Sequence, residues 1–437
     1  MCDTLFASQA VVKDGSSLFA KNSDRPPNEA QFLDFIPAGT HRSGEILECT
    51  YVKVPQFTQT HAVLLSRPFW MWGGEIGVNQ HGLAIGNESL FSKIPANKSP
   101  ALLGMDLLRL ALERARTAPG AVDVITEMLE EFGQGGNCVQ DGHLYYHNSF
   151  LIADPQESWV LETVDKHWIA RQLKNLYSIS NLISLEKDWD RSSAGLEDFL
   201  VQKGLAKPGE EIDLTANFSD LLFTTFADGK RRCARTRKLL AQSQGEITVA
   251  RMASILRDHR DKTDPRPGLS GADICMHASF GPIRRSQTTG SLIAVLEKDT
   301  PLVFATGTAA PCTGIFKPFW VDAAPDMGKR PTDCFEPESL YWSHERLHRE
   351  VLRNYPERLA SYQDERDSLE REFITGAFAL QGAERAERKA YSEVCLQEAA
   401  EAELRWLTEV KRIPPKPKWI HGKAWTVFNR KAGLHQD

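Results

Sequence analysis

No apolar run in the sequence approaches the ~20 residues that span a bilayer, and no basic stretch followed by an apolar one opens the chain. Membrane insertion and secretion are therefore not expected. None of the eight cysteines sits at CxxC spacing, which argues against a zinc ribbon or a thioredoxin-type site. Without an export signal the thiols are expected to be reduced, in a cytoplasmic protein. Basic charge is also not in excess: the net charge is −6, so nucleic acid is not an expected partner. The glycines of Gly133 to Asn137 lack a Walker-type lysine, and phosphate binding does not follow from them.

What the sequence does contain is an ordinary globular composition, 41% hydrophobic and 25% charged, over 437 residues. A chain of this length can bury a sizeable core without disulfides. Thr4 to Val12 reads as a strand, Lys13-Asp14-Gly15-Ser16 as a turn, and Ser17 to Ala20 as the returning strand. Further strands are predicted at His61–Ser66, Gly82–Glu88, Ser149–Asp154, Ser158–Val164 and Leu176–Ser180. Others are predicted at Ala272–Met276, Ser286–Leu296 and Leu302–Thr306. Helical periodicity occupies Leu102–Ala115 and Ala121–Phe132, and residues 185–260 read as mostly helical. From about Pro337 a Glu, Arg, Leu and Ala-rich texture predicts helix to about Val410, broken at Pro356. Lys411 to Asp437 carries seven Lys or Arg and one acid, and is expected to lie on an acidic surface of its own chain or of a partner. Strands, a helical pair and strands again suggest an α+β protein with helices packed outside sheets.

Cys2 is the position with the most chemistry. Cysteine is small, so a preceding initiator methionine is removable. Removal places a thiol and a free α-amine on one residue. An α-amine titrates near ~7.7–8.0, so it can take the thiol proton, directly or through water, and a thiolate can attack a carbonyl. Such an amine needs an orienting carboxylate. Asp24 is suited, because the turn at Asp14-Gly15 returns the second strand beside the first. Developing negative charge on oxygen needs donors. Asn87 and Asn181 are candidates, with Asn79 as an alternative to Asn87.

Several ordered motifs then carry a family resemblance. They are Met1-Cys2-Asp3-Thr4, Lys21-Asn22-Ser23-Asp24-Arg25-Pro26, Ser66-Arg67-Pro68 with Trp70-Met71-Trp72-Gly73, and Gly77-Val78-Asn79-Gln80-His81-Gly82. Further along come Ala101 to Asp106, Gly133 to Asn137, Trp159 to Thr163, Ile274 to His277 and Ile315 to Phe319. Over roughly its first 330 residues the chain resembles the secernins, relatives of bacterial dipeptidases with an N-terminal cysteine. The resemblance implies a four-layer αββα sandwich of two antiparallel sheets, an N-terminal-nucleophile (Ntn) hydrolase fold. It would occupy residues 1–330, with a helical C-terminal region over 331–437. It implies cysteine-dependent hydrolysis of amide bonds, with dipeptides as substrates. The alternative is a regulatory interaction protein with little turnover, as discussed for some secernins.

By the same resemblance the catalytic residues would be Cys2, Asp24, Asn87 and Asn181. The more distant bile-salt and penicillin V acylases carry an arginine where this chain has Lys21. Their second arginine has only Arg284 and Arg285 as candidates here. Substrate contacts are expected from Lys21, Arg25, Trp70, Trp72 and His277. Neither a metal nor an organic cofactor is required, the expected partner is a small peptide or amide, and a homo-oligomer is possible.

Two competing signals are set aside. His344-Glu345-Arg346-Leu347-His348 spells HExxH, a zinc pattern on a helix, but its neighbours read as a solvated face and no third ligand is evident. Cys275 and His277, one residue apart, would share a face of a strand. A hydrogen-bonded structural histidine is the simpler reading, although a catalytic pair is possible.

Overall fold

The computed structural model describes residues 1–219, 228–260, 262–266, 272–280, 284–416 and 418–434. Two antiparallel sheets form its centre. The six-stranded sheet runs, in spatial order, Leu176–Ser180, Cys2–Ala7, Ser17–Arg25, Gln287–Leu296, Leu302–Ala305 and Lys317–Trp320. The eight-stranded sheet runs Arg191–Ser192, His167–Gln172, Ser158–Val164, His147–Ala153, Ala84–Leu90, Ile76–Asn79, Val63–Pro68 and Gln31–Ile36.

Period-2 alternation divides each strand between two cores. Phe6, Phe19 and Leu292 join Leu64, Val78, Leu151 and Val160 of the other sheet, so this core fills the space between the sheets. Leu5, Leu18, Ala20 and Ile293 point the other way, under the helices Gly229–Ala241 and Val249–Leu256. Ile85, Phe150 and Leu161 face the helices Gly104–Arg114 and Ala118–Phe132. The result is helix, sheet, sheet, helix: the αββα sandwich.

The strands Ser158–Val164 and Leu176–Ser180 match their sequence expectation residue for residue. The first strand does not. It ends at Ala7 instead of Val12, and Val12 forms an isolated bridge with Ile247. Gly15 still turns the chain, at φ +77°, and the pairing Cys2↔Ser23 follows. Ala272–Met276 is not a strand, and part of the expected helical span 185–260 falls outside the described residues.

The C-terminal region consists of helices Leu340–Val351, Tyr355–Ala360, Gln363–Ala379, Arg385–Arg412 and Trp419–Lys431. Pro356 sits in the first turn of its helix, where its missing N–H costs no intrahelical bond. Trp406, Leu407 and Trp425 from these helices share a core with Cys275, Ala278, Ala310 and Cys312. The basic tail lies on the chain's own acids: Lys418 pairs with Asp264 at 2.9 Å and Lys431 with Asp141 at 2.6 Å. No described helix is long and apolar enough to cross a membrane.

Candidate active site

Strand parity builds the site. Cys2, Lys21, Ser23 and Arg25 project toward the space between the sheets, as Phe6 and Phe19 do. Asp3 and Asp24, one residue out of step, project toward the outer helices. Cys2 is 5% exposed. Its backbone nitrogen donates to Asn181 Oδ1 at 2.7 Å, and the Asp24 N–H points at its sulfur at 3.5 Å. Its Sγ lies 3.9 Å from Glu75 Oε2. Burial pushes the thiol up to about 11, against the pull of the Lys21 and N-terminal ammonium groups.

A cavity of about 210 Å³ borders Cys2, lined among others by Met1, Asp24, Glu75, Tyr146 and Arg285. A larger one of about 710 Å³ shares Pro26, Asp141 and Arg285 with it. Its far wall is the last helix, through Ala424, Val427, Phe428 and Lys431.

Asp24 and Asn181 both stand at the start of the chain. Asp24 Oδ1 accepts from Thr288 at 2.7 Å. Its buried Oδ2 has no hydrogen-bond partner among the described residues. Burial raises the Asp24 carboxyl pKa, and the nearby N-terminal ammonium and Arg232 oppose that rise. Asn181 Oδ1 receives both Cys2 N–H and the Arg232 guanidinium, at 2.7 Å each, so that atom must be the oxygen. Its Nδ2 donates to the carbonyl and hydroxyl of Ser89. Both amide hydrogens are therefore used, and Asn181 holds the Cys2 nitrogen instead of offering a donor to a substrate oxygen.

Lys21 is fully buried, 3.8 Å from Glu75 Oε2. Burial works against its charge, but Cys2, Glu88 and Glu75 outweigh that and hold it protonated. A side chain at Gly86 would collide with it, 2.6 Å from Lys21 Cδ, so the glycine makes Lys21's room. Arg25 joins Glu75 to Glu29. Glu29 also accepts from Trp70 at 2.7 Å, so Trp70 reaches the site through Glu29 and is not among the residues lining the Cys2 cavity.

Asn87, Trp72 and His277 stand elsewhere. Asn87 shares the helix-facing parity of Ile85, and its Nδ2 meets Met105 Sδ and Asn148 Oδ1. Asn79, the alternative, spends its amide on the carbonyls of Leu112 and Ala115. Trp72 stacks beneath Arg109, 4.0 Å from guanidinium to ring centre, within the core under the outer helices. His277 lies among His259, Cys275 and Cys312. The HExxH residues are not a solvated face: His344 and His348 are completely buried. His344 binds Glu403 at 2.8 Å, and His348 binds Thr313 at 2.9 Å.

Glu75, Glu88 and Arg232 belong to the site and escaped the sequence reading. Glu75 is held below its ordinary pKa, its burial outweighed by Arg25 and Lys21. Glu88 accepts from Thr4 at 2.6 Å. Arg232 binds Asp3 at 2.5 Å and the Cys2 carbonyl at 2.8 Å. It was hidden in a run of basic residues that reads as a solvated helix. The close approach of that helix was its signal: a Cβ on Gly229 would stand 2.8 Å from the Asn181 carbonyl. Of the two arginines considered from sequence, Arg285 lines the cavity, and Arg284 does not.

The model of peptidase family C69 matches residues 1–238, more than half of the chain. The chain belongs to peptidase family C69. This is the family of the secernins and dipeptidase A-like enzymes, and it makes the C69 chain a cysteine-type hydrolase of amide bonds. Solved structures similar to this C69 chain include an arginine-to-leucine variant of the conjugated bile acid hydrolase from Clostridium perfringens. It is 14% identical over 74% of this chain and 93% of its own, with a TM-score of 0.46. A cysteine-to-alanine mutant of the same hydrolase matches at 14% identity, over 69% and 88%, with a TM-score of 0.42. The Caenorhabditis elegans ortholog of N-acylethanolamine-hydrolyzing acid amidase matches at 13%, over 67% and 92%, with a TM-score of 0.34.

Proposed function

We propose that the mature chain begins at Cys2 and hydrolyses dipeptides or similarly small amides as an N-terminal-nucleophile enzyme. The observation that carries this is the Cys2 nitrogen: it is held by Asn181 Oδ1 at 2.7 Å, in a residue that lines a cavity. Loss of Met1 converts that nitrogen from an amide into an amine, and clears the part of the cavity Met1 occupies. The free Oδ2 of Asp24 is an acceptor for the new ammonium.

The steps balance simply. The amine takes the Sγ proton, and the thiolate forms a C–S bond at the carbonyl. The C–N bond breaks, and the departing nitrogen receives the proton. Water then opens the thioester with the same amine as base. Lys21, fixed as a cation beside Cys2, favours the thiolate. A cavity of about 210 Å³ is small beside the ~300–1,000 Å³ of ligand pockets in general, which favours a short substrate. Arg285 offers a cation for the carboxylate end of a dipeptide.

The test compares wild type and Cys2→Ala over a dipeptide panel, with the intact mass of each chain. A chain lacking Met1 that turns over one or more dipeptides, with activity absent in the variant, is expected. Equal activity in both, or activity from a chain that keeps Met1, would overturn the mechanism.

A further inference from the structure

A second centre lies behind the first. We propose that His259, Cys275, His277 and Cys312 form a structural zinc site. Their ligand atoms all lie within 4.8 Å of one another, and all four residues are buried, His259 the most exposed at 9%. His277 Nε2 stands 3.0 Å from His259 Nε2, 3.4 Å from Cys312 Sγ and 3.8 Å from Cys275 Sγ. One imidazole nitrogen has one lone pair or one hydrogen, so hydrogen bonding cannot satisfy three such neighbours at once. A tetrahedral zinc can. With Zn–N at ~2.0–2.1 Å and Zn–S at ~2.3 Å, the edges of the tetrahedron are roughly 3.3 to 3.8 Å. The three separations from His277 Nε2 fall close to that range.

The donor set points to the metal. Two thiolates and two imidazoles suit zinc, and give no oxygen to magnesium or calcium. Binding would release the two thiol protons to solvent. His348, stacked 5.6 Å from His277, is not a fifth ligand, because Thr313 and Gln287 engage both its ring nitrogens.

The position suggests the purpose. The ligands come from three separate stretches: the end of the Val249–Leu256 helix, the segment 275–277 and the loop holding Cys312. The middle stretch has little regular structure of its own. Yet it braces the active site: Met276 N–H donates to Thr288 Oγ1 at 2.9 Å, and that hydroxyl donates to Asp24 at 2.7 Å. A metal would fix this backing and tie it to the C-terminal helices, whose Tyr355 ring packs edge-on against both His259 and His277.

The test uses the full chain without a polyhistidine tag, purified under reducing conditions from zinc-supplemented cells. Zinc, copper and iron are measured by mass spectrometry, with a count of free thiols. About one zinc per chain is expected, falling at least about tenfold in Cys312→Ser and unchanged in Cys49→Ser. Exchange of the wild type into cobalt should give intense visible bands and a thiolate-to-cobalt charge-transfer band. That spectrum decides the matter even if the cysteine variants fail to fold. Wild type that is folded, reduced and binds neither zinc nor cobalt overturns the proposal. So does copper or iron in place of zinc, full zinc content in Cys312→Ser, or a Cys275–Cys312 disulfide in metal-free protein.

Discussion

Two buried cysteine centres in this molecule differ in what surrounds the sulfur. Around Cys2 stand ionisable groups of both signs: Lys21, Arg25 and Arg232 beside Asp3, Asp24, Glu75 and Glu88. A cavity borders them. Around Cys312 stand nitrogen and sulfur donors, His259, His277 and a second thiol, with the Tyr355 ring packed against His259 and His277. Burial is nearly equal at the two sulfurs, so burial does not decide their roles. The first set surrounds a space that a reactant can enter, and its charges bear on one thiol. The second converges, its ligand atoms all within 4.8 Å of one another.

The largest effect expected from this contrast is on activity. Cys2→Ala should lower kcat/KM by at least ~10³-fold, the scale on which removal of a nucleophile acts. Its melting temperature should change little, since the Asp24 N–H and Glu75 contacts of the thiol are long, at 3.5 and 3.9 Å. Retained activity in a folded variant would move the chemistry to another thiol.

Next is Arg232→Met, which removes the cation from a buried pair and leaves Asp3 uncompensated. The loss should be ~3–5 kcal/mol of stability, read from urea unfolding. Asp3 is held up at about 6 by burial, even with Arg232 and its hydrogen bonds pulling it down. A variant as stable as wild type would show that Arg232 serves the Cys2 carbonyl and Asn181 alone.

The same contrast explains what could be read without coordinates. The hairpin carries Cys2, Lys21, Asp24 and Arg25 within one short stretch, so local pattern suffices to bring them together. Glu75, Glu88 and Arg232 arrive from another sheet or an outer helix. Their local sequence gives no reason to expect burial, because charged residues normally face water. Asn87 was one residue from the right parity: Glu88, not Asn87, faces between the sheets. In the two large sheets, Gln31–Ile36, Ile76–Asn79, His167–Gln172, Arg191–Ser192 and Lys317–Trp320 escaped the pattern reading. They are short, and their charged or glycine residues obscure the alternation. The His and Cys cluster had no motif, since its members are spread from 259 to 312 without CxxC spacing. The helical C-terminal periodicity was plain, but its burial was not, which is why the HExxH helix read as solvated.

A pH-dependent effect of similar size concerns Glu88. Burial raises its carboxyl to about 8, despite Lys21 and the Thr4 hydroxyl. The unfolded value is near ~4.3. A raised carboxyl favours folding while protonated, so wild type should lose stability from about pH 4.3 up to pH 8 and level off above it. A glutamine amide at this position carries no charge at any of these pH values. Glu88→Gln should therefore match wild type near pH 4.5 and gain on it by up to ~1.4 kcal/mol per pH unit as pH rises to 8. Urea midpoints from about pH 4.5 to 9 give the comparison. Parallel curves would mean that Lys21 already compensates the carboxylate.

The smallest effect is expected at Trp72, and it separates a residue near the motif from one near the chemistry. Trp72 is two residues from Trp70, yet the two do different work. Trp70 donates to Glu29, which holds Arg25. Trp72 instead lies under Arg109, with the guanidinium 4.0 Å from its ring centre and Arg109 also bound to its carbonyl at 2.8 Å. Trp72→Phe keeps an aromatic face but weakens the cation–π contact. A loss of ~0.5–1 kcal/mol of stability follows, with kcat/KM for the best dipeptide unchanged. A rise in KM with stability intact would instead place Trp72 against the substrate, and would require the loop around it to reach the cavity.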